Sequence, residues 1–138
     1  VRLVSTAEQI GVREGRRLHG LYTVTAEDLR QGARFEDAVC RATFCVDVHA
    51  LDQNKNKAID KKVAWRTKSY DIPLRALIAR DVSGLMFAGR CISGDFIAHS
   101  SYRVTGNSVA LGETAGRVCA LAALSGRLPA EIPFKDLA

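Results

Sequence analysis

The sequence predicts a mixed α and β chain, a small sheet followed by one long C-terminal helix. Three observations carry this. The apolar run Leu85 to Ala88 meets a Gly-Arg turn at Gly89 and Arg90, as a strand ending in a tight turn does. A run of small and apolar residues then extends from Thr105 to Leu124, too long for a strand. Gly126 stands where a C-terminal cap belongs, and Pro129 bars continuation. The 138 residues leave room for about one average domain.

The elements follow in order. Thr6 to Gln9 is a short helix or a frayed stretch, with Ser5 or Thr6 as its cap. Arg16 to Tyr22 reads as a strand. Thr25 to Gln31 reads as a helix, because Thr25 and Asp28 hold the spacing of a capping box. Phe35 to Val39 is expected as a helical turn, and the weakly alternating Cys45 to His49 as a strand. Asp52-Gln53-Asn54-Lys55-Asn56 opens like a calcium loop. Lys57 stands where glycine is needed, and Val63 where a bidentate glutamate is needed, so 52–62 is a hairpin or surface loop. Val63 to Arg66 and Ser69 to Ile72 are expected as strands, the second stopped by Pro73. Leu74 to Leu77 leads into a loop or helical turn, and Asp81 to Gly84 is a turn. Leu85 to Gly89 is expected as a buried strand, Cys91 to Arg103 as a polar functional loop, and Thr105 to Leu124 as the long helix.

Composition bounds the function. Hydrophobic residues are 47% and charged residues 25%, ordinary values for a soluble folded chain. No apolar stretch reaches the roughly 18 residues of a membrane span. The net charge is +5, but the basic residues are scattered without interleaved aromatics. The lysines at 55, 57, 61 and 62 are the one cluster and read as a solvated loop, so nucleic acid is not expected as a partner. Cys40, Cys45 and His49 match no common zinc spacing, and no C-x-x-C occurs, so no metal is expected. Reduced thiols fit a cytoplasmic protein.

The segment from Gly84 to Leu124 has the order strand, tight turn, functional loop, small-residue helix. Such a helix is either a well-packed core helix or one whose backbone lies close to a flat ligand, with free N–H groups at its start. The stretch resembles the C-terminal flavin-binding segment of FAD-dependent oxidoreductases, above all a bacterial family with an AGRCIS-type segment, here Ala88 to Ser93. His99-Ser100-Ser101-Tyr102-Arg103-Val104 and Leu111-Gly112-Glu113-Thr114-Ala115-Gly116 continue the resemblance. So do Arg13 to Gly20, Val46 to His49 and Tyr70 to Pro73 upstream. More distantly, Arg103 before Gly106-Asn107-Ser108 is similar to the succinate dehydrogenase and fumarate reductase flavoproteins.

The resemblance implies an α+β fragment of an α/β, Rossmann-like FAD-binding two-domain flavoprotein. Residues 1–80 would be part of a substrate-binding or cap region, and 81–138 would complete the FAD-binding domain. No G-x-G-x-x-G, the turn that holds the FAD pyrophosphate, occurs in the sequence. The chain is therefore expected to be the C-terminal piece of a longer oxidoreductase, inactive alone, with FAD as the whole enzyme's cofactor and a small molecule as its substrate. A homo-oligomer is possible. The alternative is a non-catalytic binding or assembly domain that kept the segment.

The resemblance also implies roles for particular residues. Gly89, Gly106, Asn107 and Ser108 would hold the flavin end, the last two adding side-chain donors to the helix start. Thr105 or Asn107 could equally be an ordinary N-cap there. Arg90 replaces the acidic residue that usually binds the ribityl hydroxyls; it contacts the cofactor or pairs with an acid. His99 and Arg103, in the loop over the flavin face, would be catalytic, moving a proton and orienting a carboxylate or carbonyl. Their alternatives are a structural hydrogen bond and a salt bridge. Arg13, Arg17 and His49 would bind substrate, with His19 a weaker candidate for the same pocket. Tyr70 and Asp71 would close structure around the substrate half.

Overall fold

The computed structural model describes residues 2–9, 11–48 and 65–137. Among them lie α1 (Ala26–Gln31), β1 (Ala38–Ala42), β2 (Tyr70–Pro73), α2 (Phe96–Tyr102) and α3 (Thr105–Ser125), with short 3-10 turns at Leu74–Ala76, Gly89–Cys91, Pro129–Glu131 and Phe134–Leu137. The result is a small α+β fold with a two-stranded antiparallel sheet.

Local chemistry sets α1. The Thr25 hydroxyl accepts the Asp28 amide at 3.3 Å, and the Asp28 carboxylate accepts the Thr25 amide at 2.8 Å, the expected capping box. Gly32 ends the helix at φ 70°, a left-handed cap that a side chain would strain. Beyond it the chain does not form the expected helical turn at Phe35 to Val39. It turns at Glu36-Asp37 and enters β1, because β2 offers a partner edge: Cys40 opposes Ile72, Arg41 opposes Asp71 and Ala42 opposes Tyr70. Pro73 closes β2, having no N–H to continue the ladder.

Several expected strands do not form. Arg16 to Tyr22 forms no strand and bends at Leu21-Tyr22, and its amides bond three separate places: Leu18 to the Cys91 carbonyl, Leu21 to Ile78 and Tyr22 to Arg75. Partners that change at each step cannot repeat a ladder, and one bridge, Gly20 to Ala79, is what remains. Leu85 to Gly89 likewise makes a single bridge, Met86 to Ile78, and Leu85 is 38% exposed rather than buried. Cys45 to Val48 and Trp65-Arg66 are irregular, joined by one bond from the Val46 amide to the Trp65 carbonyl at 3.0 Å. No helix forms at Thr6 to Gln9. His49, the 52–62 stretch, Val63 and Ala64 lie outside the described residues.

The largest correction lies within Cys91 to Arg103, where Phe96–Tyr102 forms α2 while Ile92 to Asp95 stay irregular. Asp95 caps α2 by accepting the Ala98 amide at 2.7 Å, and its other oxygen accepts the Ala26 amide of α1 at 2.7 Å. One carboxylate thus serves two helix starts.

The main core gathers Val24, Leu29, Tyr70, Ile72, Leu77, Ile92, Tyr102 and Leu111, so residues on both sides of position 80 share it. A second cluster, from Leu74 and Ile78 to Val118, Ala122, Ile132 and Leu137, pins the end of α3. Each such large apolar side chain contributes about 1.5–3 kcal/mol on burial. The opposite face of α3 is exposed at Val109, Gly112, Gly116 and Ala120. Gly126 ends the helix at φ 67°, as its position in the sequence predicts. No helix among the described residues is long and apolar enough to cross a membrane.

Candidate functional site

The Gly89 turn and the start of α3 meet. Gly89 sits at φ 73°, and a Cβ there would lie 3.3 Å from the Ser108 hydroxyl and 3.6 Å from its Cβ. Glycine is favoured there by the backbone angle, and the turn packs directly on Ser108. The fold therefore brings Gly89 and Arg90 beside Gly106, Asn107 and Ser108, which are far apart in sequence.

The start of α3 is not capped by Thr105 or Asn107. Its N-cap is Val104, which makes no side-chain bond to the helix. Asn107 turns back, its amide nitrogen donating to the Tyr102 carbonyl at 3.2 Å and its oxygen facing the Cys40 thiol at 3.7 Å. Ser108 donates to the Val104 carbonyl at 3.3 Å. These side chains are occupied in holding the turn, contrary to the expectation that they add outward donors. What the turn offers a ligand is backbone: the first amides of the helix, with about half a positive charge. A Cβ on Gly106 would meet nothing within 4 Å, so the approach is open. Arg90 is exposed beside it and forms no ion pair among the described residues.

His99 and Arg103 belong to α2 and its C-cap, not to a covering loop, and both are buried. Arg103 donates to Glu14 at 2.6 Å and to the Asp47 carbonyl at 2.8 Å, and its guanidinium lies 3.7 Å from the Asp47 carboxylate. It therefore clamps two irregular segments onto α2. Neither Glu14 nor Asp47 is singled out by the sequence reading, although Glu14 lies inside the Arg13–Gly20 motif and Asp47 inside the Val46–His49 motif. The His99 ring is 1% exposed and stacks edge-on to Tyr102 at 5.5 Å. Neither ring nitrogen reaches a hydrogen-bond partner among the described residues. Burial lowers its pKa below the usual 6.5, the Arg17 and Arg103 charges lower it further, and Glu14 and the Arg90 backbone oppose this. Burial therefore favours the neutral imidazole.

Arg17 joins this cluster, its Nε donating to the Gly94 carbonyl at 3.0 Å. Arg13 is exposed and makes no contact of this kind. Tyr70 and Asp71 are structural. The Tyr70 hydroxyl meets the Ser101 hydroxyl at 2.9 Å, and Asp71 pairs with Arg41 at 2.9 Å and Arg34 at 3.0 Å. The four cysteines are free; the Cys91 thiol donates to the Ala88 carbonyl at 3.2 Å.

The uncapped start of α3, with open space beside Gly106, is a place where a group carrying negative charge is favoured. The family model described as FAD dependent oxidoreductase matches residues 1–138. The chain belongs to that family, and FAD is the cofactor the family uses. Comparison with the curated proteins gives no match, and comparison with the solved structures gives none either.

Proposed function

We propose that this chain is the C-terminal portion of a two-domain, Rossmann-like FAD-dependent oxidoreductase and supplies its flavin end and part of its substrate side. The observation that carries this reading is the meeting of Gly89 with the uncapped start of α3. The amides at Thr105 to Asn107 would hold the pyrimidine edge of the flavin, Gly89 and Gly106 would permit close approach, and Arg90 would reach the ribityl or phosphate region. FAD, when bound, supplies the hydride or electron acceptor. The chain's own residues orient the substrate and manage protons. His99, a buried imidazole beside the Arg90 backbone, is the candidate proton carrier, and Arg103, fixed by Glu14, keeps the 13–17 segment against it. Arg17 is the substrate-side cation nearest this pair. A purely assembly role would leave the uncapped helix start and the buried imidazole without use.

The pyrophosphate-binding turn is not among these residues, so binding by this chain alone should be weak. Titration with FAD should shift the amides of Gly89 to Cys91 and Gly106 to Ser108, with a dissociation constant weaker than about a micromolar, equivalent to about 8 kcal/mol. Shifts confined to other surfaces, or none at millimolar FAD, would remove the flavin-end reading. Tighter stoichiometric binding would show that the chain holds a sufficient FAD site by itself.

A further inference from the structure

A groove of about 500 Å3 opens between residues 15–19 and the Ser93-Gly94 turn. Small-molecule sites span roughly 300–1,000 Å3. The wall carries Arg16, Arg17 and His19 and the hydroxyls of Thr23 and Ser93, and among the described residues no carboxylate. The surrounding acids are committed elsewhere. Glu14 accepts from Arg103 at 2.6 Å. Both Asp95 oxygens accept helix amides at 2.7 Å. Asp81, which feels the His19 charge, pairs with Arg80 at 3.0 Å.

The cations, by contrast, are uncommitted. Arg16 is exposed and forms no ion pair among the described residues. Among the described residues Arg17 bonds through its Nε alone, to the Gly94 carbonyl at 3.0 Å. That bond fixes the plane of the guanidinium and leaves its two terminal nitrogens for a planar oxyanion. Thr23 and Ser93 bond each other at 3.0 Å, so one hydroxyl hydrogen of the pair remains to donate outward.

We propose that this groove binds an oxyanion, the carboxylate or phosphate group of the enzyme's small-molecule substrate, between Arg16 and Arg17 and against the Thr23–Ser93 pair. The assignment to a substrate rests on the oxidoreductase reading above; the anion site itself needs no flavin.

The test is titration of the 138-residue chain without FAD, with inorganic phosphate and separately with malonate, at ionic strength held constant with sodium chloride. Calorimetry gives the affinity, and amide shifts of residues 15–19 and 93–94 give the place. Saturable binding of at least one anion there is expected, and the tighter of the two tells phosphate from carboxylate. Arg16→Ala and Arg17→Ala should each weaken it about tenfold or more, as loss of a charge-assisted bond does. Arg117→Ala, which removes an equal charge on α3 beside Phe134 and Lys135, should leave it unchanged. Wild-type affinity in both groove variants, equal loss in Arg117→Ala, or no saturation by either anion would overturn the proposal. Failure here leaves the FAD response at Gly106 to Ser108 untouched. Anion binding without any FAD response would keep the groove and sink its assignment to an oxidoreductase substrate.

Discussion

Replacing Asp95 by alanine should be among the most damaging single changes to a polar residue in this chain. Its two oxygens accept the Ala98 amide of α2 and the Ala26 amide of α1, each at 2.7 Å. Its own amide donates to the Val24 carbonyl at 2.9 Å and would survive the substitution. An N-cap contributes typically about 1 kcal/mol, within about 0.5–2. Hydrogen bonds to a charged group contribute about 1.5–3 kcal/mol. Two short bonds from one half-buried carboxylate therefore sum to roughly 2–4 kcal/mol. For a chain of this size, 1 kcal/mol moves the melting midpoint by about 3–5 °C, so a fall on the order of 10 °C is expected. Asp95→Asn keeps one acceptor oxygen and should lose about half as much. Thr25→Ala removes only the hydroxyl cap of α1 and should cost about 1 kcal/mol. Urea unfolding followed by circular dichroism, with the slope against denaturant unchanged, measures all three. Asp95→Ala within about 0.5 kcal/mol of the parent chain, or no more harmful than Thr25→Ala, would refute the double-cap argument.

Other expectations follow from the same geometry. In Gly94→Ala the new methyl would sit 2.5 Å from the Tyr102 ring and 2.6 Å from its hydroxyl, breaking the 3.1 Å bond to the Ile92 carbonyl; a loss of about 1–3 kcal/mol and a changed near-ultraviolet dichroism are expected, and an unaltered melting point would contradict this packing. His99 has a folded-state pKa below its unfolded 6.5, so below that pH the unfolded chain binds more protons. Its contribution to stability is complete above about pH 6.5 and is lost as pH falls through that value and toward the folded pKa. His99→Leu should flatten the stability profile there, and an unchanged slope would assign the dependence to other groups. In the FAD-loaded oxidoreductase, His99→Ala should lower turnover about 100-fold with flavin content retained. Arg103→Ala should lower turnover more than flavin content, while Arg103→Lys restores part of it; equal kinetics in all these variants would leave both residues purely structural.

The sequence by itself determined the features whose causes are local. Thr25 with Asp28 fixes the start of α1, Gly126 and Pro129 fix the end of α3, and Pro73 ends β2, because caps and missing donors act within a few residues. It also determined the family, since several separated motifs occur in the right order. Tertiary structure decided the rest. Ala38 and Val39, expected in a helical turn, became the start of β1 because β2 supplies bonding partners, and Arg16 to Tyr22 failed as strand because its partners come from three places. The segment from Cys91 to Arg103 looked like a loop because Ser and His weaken the apolar period. Its helix forms because Asp95 caps it and because Ala98 to Tyr102 are buried in the core. Gly89 and Ser108 sit at one notch, and Arg103 meets Glu14 across 89 positions, only because the folded chain brings them there. Long-range pairing leaves no trace in periodicity or spacing, which is why the members of the site were legible in the sequence and their arrangement was not.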